Sequence, residues 1–322
     1  MTASLSAAAN PPPAIVVAGP TASGKSALAL AIARAFGGVV VNADSMQVYD
    51  VLRVVTARPS EADEAQAPHR LYGVLPPAIA CSAARWRDLA AAEMEHAWAA
   101  GRVPVVVGGT GLYIATLMKG ISPIPEIPEA VRAQARARLA ELGNDRFHRL
   151  LAERDPAMAA RLDAGNSQRL ARAFEVIEAT GRSLADWQAE PRQGAVAARW
   201  LTWSLAPPRA ALHAACDGRF RTMVETGALD EVAALLDLGL DSALPAMKAL
   251  GVPELAAFLT GRRDLETAIA DASLATRRYA KRQLTWFRHQ LDAPRVIDAQ
   301  FSESIFAEIF PIIRHFLLTG TE

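Results

Sequence analysis

Residues 19–26 constrain this chain more than any other stretch. Gly19, Pro20, Thr21, Ala22, Ser23, Gly24, Lys25 and Ser26 fit the phosphate-binding pattern G-x-x-x-x-G-K-[ST]. The apolar run 14–18 before them reads as a buried parallel strand, and the Ala/Leu-rich run 27–36 after them reads as a helix. Glycines let the backbone wrap around phosphate oxygens while N–H groups at the helix start point at them. Lys25 adds a point charge, and Ser26 can place a hydroxyl on Mg²⁺. A chance glycine-rich turn lacks the strand and helix that flank this one. The stretch therefore implies a phosphorylated ligand, without saying that the ligand is ATP.

At 322 residues the chain exceeds one average domain, which predicts a core with an insertion or second lobe. Lys plus Arg and Asp plus Glu both number 34, so any nucleic-acid site must be a local basic patch. Two cysteines, Cys81 and Cys216, make neither a disulfide framework nor a metal cluster and suit a reducing cytoplasm. No apolar run reaches spanning length, so no membrane association is expected. Residues 1–13 lack a basic and an apolar signal region; their Ser/Ala/Pro composition predicts a disordered tail.

Beyond the first helix, 38–43 reads as a second strand ending in Asp44, Ser45, Met46 and Gln47, residues placed to face a ligand crevice. Residues 70–75 are a third strand, 83–100 a helix stopped by Gly101, and 103–107 a fourth strand closed by Gly108, Gly109, Thr110 and Gly111. This alternation predicts an α/β fold, a doubly wound parallel sheet. The pattern breaks at Pro123, Pro125 and Pro128. Helical patterns follow at 129–142, 145–153 and 167–180, the last capped by Gly181. In it Leu170, Phe174 and Ile177 share one face, and Gln168, Arg172 and Glu175 another. Strand character returns at 200–205. The expected organisation is a core of 14–120 and 199–322 with a helical insertion at 121–198. Between Glu126 and Arg182 ten arginines meet nine acids, so only a face of that insertion can be basic.

The remainder is mostly helical, including 209–225 and 271–291, with a short strand at 295–298. Helix 271–291 carries Arg277, Lys281 and Arg288 on one face and Tyr279, Trp286 and Phe287 as anchors on the other. A solvated charged face is the plainer reading of such a helix.

A motor-type ATPase places an acid after a second apolar strand to hold Mg²⁺. Here strand 103–107 ends in a glycine-rich turn and a hydroxyl, Thr110, instead. The acid in the crevice is Asp44, which could act as a base toward an acceptor or serve only as a helix cap; Thr110 could be a plain turn residue. A small-molecule kinase survives this step.

Several stretches, in order over 14–290, resemble the tRNA dimethylallyltransferases, also called tRNA isopentenyltransferases. They are 19–26, 42–49, 105–113, 168–172 with Thr180 and Gly181, and 276–288. The resemblance implies a cytoplasmic, monomeric enzyme with a phosphate-binding-loop α/β core and a helical insertion that binds tRNA. It transfers a dimethylallyl group from dimethylallyl diphosphate, with Mg²⁺, to N6 of the adenosine 3′ of the anticodon in the anticodon stem-loop. By the same resemblance Asp44 is the general base, and Thr110 and Arg219 hold the diphosphate with the loop. Asp44, Ser45, Met46, Gln47 and Thr110 face the flipped adenosine. Arg132, Gln168, Arg169, Leu170, Ala171, Arg172, Arg277 and Lys281 contact tRNA. Two departures stand out: Val252 and Pro253 where the family often has Tyr-Lys, and Ala215 where an arginine is expected. Competing readings are a small-molecule kinase, an isopentenyltransferase for free adenine nucleotides, and a noncatalytic RNA-binding protein with a nucleotide-sensing loop.

Overall fold

The computed structural model describes residues 10–319. Most of the tail expected at 1–13 lies outside the described residues, and Pro13 already belongs to the first strand. The chain folds into two compact units: residues before Lys119 together with those after Ala195, and Lys119–Ala195.

The first unit starts with β1 (Pro13–Ala18), α1 (Lys25–Phe36), β2 (Val39–Asn42), α2 (Glu61–Glu64), β3 (His69–Arg70), α3 (Ala83–Ala99), β4 (Pro104–Gly108) and α4 (Gly111–Lys119). The second unit contains α5 (Glu129–Arg154), α6 (Pro156–Ala159), α7 (Ser167–Thr180) and α8 (Leu184–Ala189). The first unit resumes with β5 (Arg199–Leu205), α9 (Arg209–Glu225), α10 (Ala228–Asp237), α11 (Val252–Leu259), α12 (Leu265–Gln290), β6 (Arg295–Ile297) and α13 (Glu303–Thr319).

The strands form one six-stranded sheet in the order β3-β2-β4-β1-β5-β6, every pair parallel. Both faces are covered, which is why the central strands β1, β2 and β4 read as near-continuous apolar runs. Alternate residues supply each face. Val16, Val41 and Val106 pack with Trp86, Ile114 and Phe220 on one side; Ile15, Val40 and Val105 pack with Ile32, Ile313 and Phe316 on the other. Between β1 and β4 the chain leaves for β2 and returns, so the carboxyl ends of these three strands gather the loops after each of them.

Gly108 is the tightest point of that gathering. A Cβ there would lie 2.2 Å from the carbonyl carbon and oxygen of Ala43. Neither is a flexible side-chain end, so the β2 and β4 loops would have to separate. Gly108→Ala is expected to cost about 3 kcal/mol of stability, read from the midpoint of urea unfolding.

Two expectations change and one holds. The strand read at 70–75 shrinks to His69–Arg70, because Leu71 (φ 65°) and Gly73 (φ 58°) turn the chain out of extended geometry; only a bridge between Leu75 and Tyr49 remains. The break expected between helices 129–142 and 145–153 is present within Glu129–Arg154: Gly143, with φ 68° and ψ 168°, is non-helical and separates two helical stretches. Helix 271–291 begins earlier, at Leu265, because Asp264 caps it by accepting the Thr267 N–H at 2.8 Å. In the second unit Leu170 and Phe174 of α7 pack with Phe147 and Leu151 of α5 in a core of their own, while Ile177 is only half-buried. Among the described residues no helix is long and apolar enough to cross a membrane.

Candidate active site

The loop after β1 curls because Ala22 (φ 63°) and Gly24 (φ 86°) both adopt left-handed backbone, and Gly24 caps α1 without a side-chain bond. Amides at such a turn converge on an anion. Ser23 is fully buried beneath it, and its hydroxyl has no partner. The Lys25 ammonium folds back to donate to the Pro20 carbonyl at 3.2 Å.

Opposite the loop, Asn42 ends β2 and shapes the turn that follows. Its side chain accepts the Asp44 N–H at 2.8 Å and donates to the Asp44 and Leu71 carbonyls at 3.0 Å. Asp44 in turn accepts the Met46 N–H at 3.0 Å through one carboxylate oxygen and stays half-buried. Thr110 accepts the Ser45 N–H at 2.9 Å, joining the β2 and β4 loops. The turn reading of Thr110 therefore holds alongside any role toward a ligand.

A cavity of about 280 Å³ opens at this junction. Thr21, Asp44, Ser45, Arg219, Tyr279 and Arg282 line it, with Lys248 at its margin. Val55, Phe220, Met223 and Leu250 give it an apolar wall, with Thr56, Cys216 and Thr276 beside them. Arg219 reaches from α9 to donate to the Thr21 hydroxyl. Burial lowers its pKa, with the Asp44 carboxylate acting the other way. Tyr279, whose phenol burial pushes up in pKa, stays protonated within hydrogen-bonding reach of Thr110 and Gln283. The arrangement sets two half-buried cations and a curl of amides against one carboxylate, an anion site with an apolar extension.

Burial lowers Lys25 from 10.5 to about 8; Asp44 opposes this and Arg219 adds to it. Below about pH 8 folded and unfolded chains both hold the proton, and burying the ammonium costs in full. From about 8 toward 10.5 the folded chain sheds its proton first, so stability from this group rises with pH. A bound polyanion restores the proton. Inorganic diphosphate should therefore bind with proton uptake near pH 8, and more weakly as pH rises further. Calorimetry in two buffers of different ionisation enthalpy reads this directly.

Other expected site residues fall elsewhere. Ser26 is exposed on α1 and lines a separate cavity with Arg34, Arg58 and Asp63. The Gln47 carboxamide donates to the Thr56 and Ala57 carbonyls at 2.8 and 2.9 Å, holding a loop that bears part of the cavity wall. Arg277 makes an ion pair with Asp217, and both side chains stay partly exposed. Lys281 is exposed beside Arg278, Arg282 and Trp286 in an open groove on α12. In the second unit Gln168 and Arg169 are exposed, and Arg172 pairs with Glu175 at 3.4 Å. Leu170 and Ala171, named with them from the sequence, are buried at 0% and 8%, so their side chains serve the core instead of a surface. The Arg132 Nε is buried without a partner. Val252 is core and Pro253 sits in the first turn of α11, where a missing N–H costs nothing. Ala215 is half-buried on α9, a turn before Arg219.

The family model described as IPP transferase matches residues 47–290, and one described as isopentenyl transferase matches residues 13–75. A tRNA dimethylallyltransferase of Paramagnetospirillum magneticum is 63% identical over 308 residues, 96% of this chain and 98% of that protein. One of Rhodospirillum centenum is 59% identical over 290 residues, covering 89% and 91%. Among solved structures, the full-length tRNA isopentenylpyrophosphate transferase of Bacillus halodurans superposes with a TM-score of 0.69 at 31% identity, covering 95% of this chain and 96% of that one.

Proposed function

Because the chain belongs to the tRNA dimethylallyltransferase family, we propose that it transfers a dimethylallyl group from dimethylallyl diphosphate to tRNA. The acceptor in this reading is N6 of the adenosine 3′ of the anticodon, and diphosphate leaves. The observation that carries the reading is the cavity in which Thr21 of the loop, Arg219 and Asp44 share a lining with the apolar Val55, Phe220, Met223 and Leu250. An anion site alone would suit a kinase. An apolar pocket continuous with it suits a donor whose carbon end is a short hydrocarbon.

In the reaction the C1–oxygen bond of the donor breaks, and its electron pair stays on the diphosphate. The loop amides, Lys25, Thr110 and Arg219 stabilise that developing charge. A new bond forms between C1 and N6, and the N6 proton passes to the Asp44 carboxylate. Val55, Phe220 and Met223 hold the prenyl chain so that C1 faces the acceptor. An adenosine reaching this depth must leave its stack, and Ser45, Met46 and Thr110 stand where the base would enter.

In this reading Mg²⁺ arrives with the diphosphate. Among the described residues no group of three or more His, Cys, Asp and Glu gathers into a protein cage. Mg²⁺ binds through phosphate oxygens, water and few protein ligands, and the exposed Ser26 hydroxyl, which opens on the second cavity, would be the loop's ligand to it. When bound it would neutralise charge on the leaving diphosphate. For tRNA, the groove of Arg278, Lys281, Arg282 and Trp286 offers phosphate and stacking contacts, and Gln168 and Arg169 offer polar ones.

The test is to incubate the protein with dimethylallyl diphosphate, Mg²⁺ and unmodified tRNA, then digest the tRNA and analyse its nucleosides by mass spectrometry. A five-carbon prenyl adenosine is expected. Prenylation of free AMP with none in tRNA, or RNA binding with no transfer at all, would overturn the reading.

A further inference from the structure

Gln283 lies on α12, and its buried carboxamide bridges two of the loops that build the active site. Its oxygen accepts the Thr21 N–H at 2.9 Å, and its nitrogen donates to the Gly109 carbonyl at 2.8 Å. The residue is 5% exposed, so water does not compete for either bond. The fit leaves no slack on the β4 side. A Cβ on Gly109 would lie 2.1 Å from the Gln283 nitrogen, and one on Gly111 would lie 2.1 Å from the Trp286 ring. The glycines that flank Thr110 are therefore the space into which α12 docks.

Each loop carries a diphosphate contact next to its bond. Thr21 bears the hydroxyl that Arg219 grips, and Gly109 precedes Thr110. The Thr21 amide, spent on Gln283, cannot itself bind phosphate, so this bond sets the loop's shape and adds no contact of its own. A carboxamide accepts from one backbone through its oxygen and donates to another through its nitrogen at once. A carboxylate would set two oxygens against each other at Gly109.

We infer that Gln283 is a positioning residue for the diphosphate. It fixes the spacing between the Thr21 end of the phosphate-binding loop and the Thr110 turn, so that both meet one ligand. The inference rests on the reading of the loop as the diphosphate site, and its test does not require prenyl transfer.

The test is calorimetric titration of wild type, Gln283→Leu and Gln283→Met with inorganic diphosphate and Mg²⁺, alongside steady-state kinetics. Ile269→Ala, a core change on the same helix away from both loops, controls for stability. Both Gln283 variants should bind diphosphate about 10-fold or more weakly, as expected for loops left with buried unpaired groups. KM for dimethylallyl diphosphate should rise in step while KM for tRNA stays within about 2-fold. Ile269→Ala should lower the melting temperature and leave diphosphate affinity unchanged. Wild-type affinity in either Gln283 variant would overturn the inference. So would an equal loss of affinity in Ile269→Ala, or failure of both Gln283 variants to fold, because the carboxamide would then hold the fold and not the site. A wild type that binds diphosphate but prenylates nothing would count against the functional reading alone.

Discussion

Replacing Asp44 by Asn is expected to lower kcat for prenyl transfer by about 10²–10⁴-fold, the usual contribution of a positioned general base. The substitution isolates the charge. Asn keeps an oxygen to accept the Met46 N–H at 3.0 Å, so the turn after β2 should hold its shape. KM for dimethylallyl diphosphate should change little, because the carboxylate takes a proton only as N6 attacks and makes no favourable contact with the anionic donor. A drop in kcat with unchanged diphosphate affinity assigns Asp44 to proton removal. An equal drop in affinity would instead make it a structural part of the anion site. Single-turnover rates with saturating tRNA separate the two.

The second large effect is expected at Arg219. Arg219→Gln should reduce kcat by about 10²–10³-fold, the cost of removing one preorganised partner of a developing anion. Here the donor's affinity should fall too, because the guanidinium faces negative charge before and after the bond breaks. Two features make this residue hard to replace. It is held by the Thr21 hydroxyl, and it shares its buried surroundings with Lys25 and a single carboxylate, Asp44. Arg219→Lys should recover part of the binding and little of the rate, since one ammonium cannot keep Thr21 and reach the diphosphate together. Full activity in Arg219→Lys would mean that charge alone matters.

These expectations draw on features that differ in how far the sequence reveals them. The loop at 19–26, Asp44 and Thr110 were legible because each sits at the end of a short apolar strand, and a parallel sheet brings such ends to one edge. The helix Ser167–Thr180 was legible from its period and its glycine stop, and the structure gives the same bounds. Arg219 rested on resemblance alone, since nothing local marks one arginine of a helix as buried against a loop 198 residues away. Gln283 belonged to a stretch read as basic and RNA-facing; its polar bridge depends on a partner 262 residues earlier. The ion pair of Arg277 was hidden for the same reason, because helical periodicity gives a face and not the Asp217 that meets it. The strand read at 70–75 failed on backbone geometry, which apolar composition does not report.

The central claim is that a loop of the kind used for phosphate transfer here grips a leaving group. The direct test uses dimethylallyl diphosphate labelled with ¹⁴C in the prenyl chain and ³²P in the terminal phosphate. After reaction with unmodified tRNA, ¹⁴C should appear in the RNA and ³²P in free, intact diphosphate, in equal amounts. Phosphorus in the RNA, or ¹⁴C left wholly on the donor while the phosphate is split, would contradict it.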